Sequence, residues 1–328
     1  MRTSTRPVHL LVAGALAALL LALAAPGGAR AATPSAAASA AAWDHVPASA
    51  LRGPTPSTPL VDPARFAAFG LDQDALANVL ADAPRERRRA AAPASGEGLV
   101  VSIPAPDGGF QRFAIVDSPI VDPALAAARP DIKTYTGRGI DDPTATVRLD
   151  LTPIGFHASV RSDDGAWYVD PRYRDLSQYV AYDRDALSAD PYADFVEGDG
   201  GGSAPEIAPR DDRAGEANGA LVKLRVYRLA LVSDSTYAAN SNAGGDTTAA
   251  KVVLMNRVDQ IYEQDLAIRM DLIAQTPSLN LDTAAQSTGT NGPCGATACF
   301  SSLSCTNSTI ARNNTVAGLL AGAGNYDI

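Results

Sequence analysis

Residue types that carry catalysis or bind metals are scarce in this sequence of 328 residues. Its three histidines, His9, His45 and His157, are widely separated. A zinc site needs three or four ligands that converge, and a catalytic cysteine needs a histidine as its base. His157 lies in a predicted strand, where a packed structural role is the common one. The sequence therefore predicts no catalytic residue and no metal ligand within this chain.

Other motifs that could carry chemistry have structural explanations. No serine elbow of the form G-x-S-x-G is present. The stretch GGDTTAAK, residues 244–251, lacks the G-x-x-x-x-G-K-[ST] spacing that cradles phosphates, so Asp246 is predicted to cap a helix instead. Paired aspartates at 141–142, 163–164 and 211–212 adjoin turn or linker sequence, where carboxylates stabilise turns.

Three cysteines, Cys294, Cys299 and Cys305, lie close together. Exported proteins usually pair their thiols, and these spacings are not the two-residue spacing of a zinc knuckle or a redox motif. We therefore interpret all three as disulfide candidates in a loop. Because the number is odd, either one thiol is free or its partner lies beyond Ile328.

The N-terminus has the pattern of an export signal. Arg2 and Arg6 precede an apolar run, and Ala29-Arg30-Ala31 has the small-x-small pattern of a cleavage site. We predict a signal peptide over residues 1–31, cleavage after Ala31, and a secreted extracellular protein with no membrane attachment. An uncleaved anchor is the alternative, and it is disfavoured because the run is rich in alanine and ends at Pro26-Gly27-Gly28.

The formal net charge of -9 argues against a nucleic-acid partner, since phosphate binding requires clustered Lys and Arg.

Composition divides the chain after the predicted signal peptide into four parts. Residues 32–97 are predicted to form a leader, loose up to residue 60, followed by short helices. Residues 98–196 contain short alternating strands with turn signals such as Asp107-Gly108-Gly109, and they predict an antiparallel β-meander with a helical turn near Pro123–Ala128. Residues 197–219 have linker composition, and residues 220–328 form the last part.

The last part is predicted to begin with a βαβ unit. A long strand within ALVKLRVYRLALVSD precedes a helix from Asp246 to about Asp265, and LAIRMDLIAQ supplies a second, parallel strand. An apolar stripe is predicted to pack this helix on a neighbour; its residues are Leu254, Val258, Ile261 and Asp265, flanked by Met255 and Tyr262. Residues 276–320 are polar and predict long surface loops with a weak strand or helix near TVAGLLAG.

The segments RVYRLALVSDSTYAAN and NRVDQIYEQDLAIRMDLIAQ resemble the opening strand, first helix and second strand of secreted bacterial reprolysin-like zinc metalloproteases, a branch of the metzincins. The resemblance rests on a core of six residues: Asn256, Arg257, Val258, Ile261, Tyr262 and Glu263. The stretch GAGNYDI, with Asn325, Tyr326 and Asp327, is similar to the family's sequence before the strands that precede the zinc helix. The β-rich part upstream is similar to the prosegment of these enzymes.

The resemblance implies a secreted zymogen with an α+β fold, in which a β-rich antiparallel prosegment precedes the N-terminal α/β part of a metzincin catalytic domain. It implies protein or peptide substrates and a zinc ion held by H-E-x-x-H-x-x-G-x-x-H, with calcium as a further candidate cofactor. None of those zinc ligands is in this sequence, so we expect the protein to continue beyond Ile328 and this chain to be inactive. Residues 32–293 hold no cysteine, so a cysteine switch is excluded, and the prosegment is expected to cover the cleft and assist folding.

A second interpretation remains open at this point. The chain could be a secreted binding or scaffold protein whose C-terminal part is a non-catalytic relative of the protease. The two interpretations differ in whether an H-E-x-x-H motif follows in the gene.

Overall fold

A computed structural model describes residues 33–47, 50–51, 58–86, 98–187, 223–240, 244–304 and 306–328. The predicted signal cleavage at Ala31, the predicted linker 197–219 and Cys305 lie outside these ranges. The described residues from Pro34 onward pack as one unit. Among them, no helix combines the length and the apolar character that crossing a membrane requires.

The larger sheet has nine antiparallel strands in the order β1-β2-β9-β8-β7-β6-β5-β4-β3. Strands β3 to β9 follow one another as the predicted meander, which the structure confirms. The bounds are β1 Trp43–Val46, β2 Ala67–Leu71, β3 Leu99–Pro104, β4 Phe110–Asp117, β5 Lys133–Gly139, β6 Thr146–Thr152, β7 Gly155–Ser162, β8 Gly165–Pro171 and β9 Tyr179–Asp183.

Local sequence explains the turns of this meander. Asp107 accepts a hydrogen bond from the Gly109 amide at 2.8 Å, and Gly108 has a φ of 87°, a value that glycine adopts without strain. The predicted hairpin between β3 and β4 is thereby confirmed. The predicted helical turn is also present as α3, Pro123–Ala128, where Asp122 caps the Ala124 amide at 2.8 Å.

Residues 33–47, the main described stretch of the leader, are not loose, contrary to the prediction from composition. Residues 34–46 form a helix α1, Pro34–Ala41, followed by β1, and part of the stretch predicted as helical forms β2 before α2, Gln73–Leu80. Trp43 is 5% exposed and meets three aromatic rings edge-on at 5.3–6.3 Å: Phe69, Phe156 and Tyr179. The described part of the leader is ordered because its few large side chains and small alanines complete the core on the inner face of the sheet.

The βαβ unit is confirmed, with two parallel strands, β10 Arg225–Leu229 and β11 Ile268–Leu272, joined by the helix α5, Thr247–Leu266. Asp246 caps α5 as predicted, by accepting from the Ala249 amide at 3.0 Å, and Ala267 ends it with a left-handed φ of 53°. The predicted first strand is too long, since β10 ends at Leu229. A short helix α4, Ser235–Ala239, lies between β10 and α5.

Residues 276–320 are more ordered than their polar composition predicts. They contain α6, Ala284–Ser287, and a fifteen-residue helix α7, Asn307–Ala321. The weak strand or helix predicted near TVAGLLAG is a helix, the last part of α7. The loops predicted around it are more ordered than expected because a few scattered apolar residues form a small core of their own, made by Leu281, Cys299, Phe300 and Val316.

A second core joins the sheet to the βαβ unit. Apolar residues that follow β4 pack against α5 and β11; the buried members are Ile120, Val121, Leu125, Ile132, Ala249, Val252, Met255, Met270 and Leu272. The main chain also pairs, because the Leu272 amide donates to the Ile120 carbonyl and the Asp122 amide donates to the Leu272 carbonyl, both at 2.8 Å. These contacts place α5 against the outer face of the large sheet.

Candidate functional site

The face of α5 that contacts the large sheet is polar. Asn256, Asp259 and Gln260 are at most 3% exposed, whereas Leu254 and Ile261 of the predicted apolar stripe are 44% and 45% exposed. The prediction that Leu254, Ile261 and Asp265 pack the helix is therefore wrong. Of the residues predicted for the stripe and its flanks, those that face the second core are buried: Met255 fully and Val258 in part.

Strand alternation explains the matching polar face of the sheet. Successive side chains point to opposite faces, so Val147, Leu149, Ala158 and Val160 fill the inner core. Arg148 and Asp150 of β6 and His157 and Ser159 of β7 point the other way, and Arg148 is paired with Ser159 and Asp150 with His157 in the register. We call this surface, completed by Asp170 of β8, the polar sheet face.

Glu263 lies at the centre of one ionic cluster. Its carboxylate accepts hydrogen bonds from the guanidinium groups of Arg148 and Arg269, whose side chains are each 1% exposed. Arg269 of β11 also forms a forked pair with Glu86, at 3.0 and 3.1 Å. Burial disfavours the charge of Arg269, but these two carboxylates outweigh that effect and raise its pKa.

Amide side chains join the same two surfaces. Asn256 donates to Asp150 at 3.0 Å and accepts from Arg148 at 3.3 Å, so its amide is used in both directions. Gln260 accepts from the Ser159 hydroxyl at 2.7 Å and donates to the Ser159 carbonyl at 3.1 Å. Buried amides with both ends satisfied stabilise one particular pairing of surfaces, because another pairing leaves them without partners.

Asp170 and Arg257 form a second ion pair beside this amide cluster. Asp170 also accepts from the Tyr182 hydroxyl at 2.5 Å. Burial by itself raises the pKa of Asp170, but the charges of Arg257 and His157 and the Tyr182 hydrogen bond outweigh it and hold that pKa below its usual value. The guanidinium of Arg257 lies 5.3 Å from the centre of the Tyr168 ring.

Two buried charges of α5 have strongly shifted pKa values. Burial raises the pKa of Asp259 to about 7; one of its oxygens accepts from the Met270 amide at 2.9 Å, and the other has no hydrogen-bond partner among the described residues. Burial lowers the pKa of Lys251 to about 7, with Asp282 opposing the shift. The Lys251 ammonium donates to Leu231 O and Asn280 Oδ1, each at 2.6 Å, and to Leu279 O at 3.3 Å.

A cavity of about 400 Å³ adjoins the Asp170–Arg257 pair. Its polar wall includes His157, Asp170, Tyr182 and Arg257, and its apolar wall includes Ile154 and Leu254. Among the described residues that line it, none is a serine, threonine or cysteine that could act as a nucleophile beside His157.

The described residues do not fit a zinc ion. They contain no group of three His, Cys, Asp or Glu side chains arranged to hold a metal. His157 Nδ1 is 2.9 Å from an Asp150 oxygen in the interface, and His45 packs its ring against Phe69, with centroids 5.5 Å apart. The two histidines therefore have structural partners in different parts of the sheet.

The remaining residues of the family-like motifs have separate positions. Tyr262 is exposed, and Tyr326 packs beside a cluster of Ile273, Leu279 and Ala321. Asn325 donates to the Ala321 carbonyl at 2.6 Å at the end of α7. Asp327 pairs with Arg228 at 2.8 Å, and the Ala230 amide donates to the Ile328 carbonyl at 2.9 Å, so the last residues lie along β10.

Cys294 and Cys299 are joined in a disulfide next to the small core at Phe300. Sequence reasoning identified these two as candidates but could not choose the pair. It did not identify Arg148, Asp150 or Asp170, because a single polar residue in a strand does not indicate a buried interface when the residues that contact it are unknown.

Comparison with protein families matches the part of the chain that contains α5. Residues 244–328 match the family of reprolysin-like M12B metallopeptidases. This reprolysin-like region contains α5, β11, α6 and α7, and the matched range excludes the large sheet. Among curated proteins, no significant match to the chain was found. The structure confirms the mixed α+β fold that the resemblance implied. A large antiparallel sheet precedes a region that matches the start of a reprolysin-like domain.

Proposed function

We propose that the chain is the N-terminal portion of a secreted zinc-dependent endopeptidase zymogen, and that residues 34–187, the sheet region, are its prosegment. The family match supports the peptidase class. The signal-like first 31 residues support export. In this proposal the substrates are proteins or peptides, and the zinc ligands lie in sequence beyond this chain, which itself contains no H-E-x-x-H.

One observation carries the prosegment role. Three residues of the family-like motif, Asn256, Arg257 and Glu263, have their side chains bound by the polar sheet face. A prosegment that assists folding has to recognise the catalytic domain through features of that domain's own surface. The ion pairs and amide bonds from β6 and β8 to α5 provide such recognition.

In this proposal the residues of the sheet region take no direct part in the reaction. Zinc would supply a bound water of lowered pKa, which is the usual nucleophile of such peptidases. The described residues of the interface and the cavity include no set of ligands for it, and in this proposal their part is to hold and orient α5 and β11. Prosegment inhibition would be steric or would use a ligand other than cysteine, because residues 32–293 contain no cysteine that could occupy the metal.

The proposal is tested by expressing the natural reading frame from Met1 to its stop codon with export, and by assaying casein hydrolysis with and without a chelator. We expect the secreted protein to begin at Ala32 and, once the prosegment is removed, to show activity that the chelator abolishes. The 328-residue chain, as the matched control, should be inactive. A reading frame without an H-E-x-x-H motif would contradict the proposal and favour the binding or scaffold interpretation.

A further inference from the structure

We infer that the sheet region is a docking surface that holds the reprolysin-like region without covalent help. The two regions should stay together as separate chains after the backbone between Leu187 and Lys223 is cut. The inference goes beyond the proposed function, since it describes how the two regions remain associated and does not require the protein to be a peptidase.

The first contribution is the charged and amide contact described above. Arg148 reaches Asn256 and Glu263 of α5, and Asp170 reaches Arg257. The polar sheet face contacts about two turns of α5, through Asn256, Arg257, Gln260 and Glu263. Arg148, Asn256 and Gln260 are buried, whereas the Arg257 side chain is 31% exposed. Pairing either region with a mismatched partner would leave the buried charges and amides without hydrogen bonds.

The second contribution comes from the main chain. The Ile120–Asp122 segment lies along β11, through the two hydrogen bonds at Leu272. An isolated parallel bridge pairs Val121 with Leu272. The sheet region thus adds a short strand to the β10–β11 pair, which is a recognised mode of peptide binding.

The third contribution is apolar. The second core takes Ile120, Leu125 and Ile132 from the sheet region and Val252, Met255 and Met270 from the reprolysin-like region. These side chains are buried in one shared core, so we expect separation to expose an apolar patch on each side. Burial of such patches is the main favourable contribution to most stable protein associations.

None of these contacts uses the connection between the two regions. Each joins residues outside 188–222, and residues 197–219 have a linker composition with no aromatic residue. Segments of this composition are common sites of proteolytic cleavage. Cutting there leaves every contact named above in place.

The test inserts the recognition sequence of a specific protease between residues 197 and 219 of the full chain. After cleavage, size-exclusion chromatography and mass photometry are run over a dilution series. We expect the two pieces to elute together at the volume of the uncut chain down to about 1 µM. Separation of the pieces at concentrations well above this would overturn the inference.

Arg148→Met probes the interface from the sheet side, and Arg138→Met is its matched control. Arg138 lies on β5 and donates to the Pro143 carbonyl within its own region. We expect R148M to weaken association of the cut pieces at least about tenfold and R138M to leave it unchanged. Equal effects of the two variants would contradict the assigned surface.

A second variant, Asn256→Ala, probes the same contact from the α5 side. If R148M fails to fold, this variant still tests whether the polar sheet face holds the two pieces together. We expect N256A to weaken association as well, because Asp150 and Arg148 each lose a hydrogen-bond partner. Unchanged association in N256A would refute the role of the polar sheet face. All these results are independent of casein hydrolysis, so failure here is distinguishable from failure of the proposed function.

Discussion

Removing the Glu263 carboxylate is the most informative perturbation of the interface. In Glu263→Gln the side chain keeps its shape and one oxygen acceptor, but Arg148 loses the one carboxylate that it pairs with among the described residues and keeps its hydrogen bond to Asn256 at 3.3 Å. Arg269 keeps its forked pair with Glu86. Breaking a buried ion pair on one side costs about 3–5 kcal/mol, and we expect a value near the lower end, about 3 kcal/mol, because only one guanidinium is left without a carboxylate.

The assay is urea unfolding followed by far-UV circular dichroism, with Arg148→Met and the double variant measured alongside. Residues that form one ion pair are not additive, so the double variant should lose about 2 kcal/mol less than the sum of the single variants. Asp265→Asn is the matched control, since it removes a carboxylate from the exposed side of the same helix; we expect a change within about 0.5 kcal/mol. Strict additivity, or an E263Q variant as stable as the control, would refute the reasoning.

Three further predictions concern buried residues. The pKa of Asp259 is raised from 3.8 to about 7 in the folded chain, so its contribution makes stability fall as pH rises through that range; the urea midpoint of Asp259→Asn relative to wild type should be higher at pH 8 than at pH 5, and an equal difference at the two pH values would count against the assignment. The pKa of Lys251 is lowered from 10.5 to about 7, so its contribution makes stability rise between those values; Lys251→Met should reduce that slope in the same measurement at pH 7 and pH 9.5, and an unchanged slope would count against the assignment. Trp43→Ala should cost about 3–5 kcal/mol in urea unfolding, because the ring is 5% exposed within the inner core, and a loss below about 1 kcal/mol would show that the leader does not belong to it.

Features that depend on a few neighbouring residues could be predicted from the sequence. The Asp107-Gly108-Gly109 turn and the Asp246 cap of α5 each use a side chain that bonds a backbone amide two or three residues away. The alternation of apolar residues in β6 and β7 is similarly local, and it was sufficient to predict a meander.

The leader and the interface could not be predicted, because their determinants lie far apart in the sequence. Trp43 is ordered by rings at positions 69, 156 and 179. Asn256 meets Asp150 across 106 residues of sequence. The sequence of a polar helix face indicates exposure to solvent when the residues that contact it are unknown. The prediction therefore placed the buried side of α5 at Leu254 and Ile261, and not at Asn256, Asp259 and Gln260.

A crystal structure of the full 328-residue chain is the most direct test of the central claim, that the sheet region grips the polar face of α5. We predict density for Glu263 between the guanidinium groups of Arg148 and Arg269, with Asn256 hydrogen-bonded to Asp150. Helix α5 turned to place Leu254 and Ile261 against β6, or detached from the large sheet, would contradict the account.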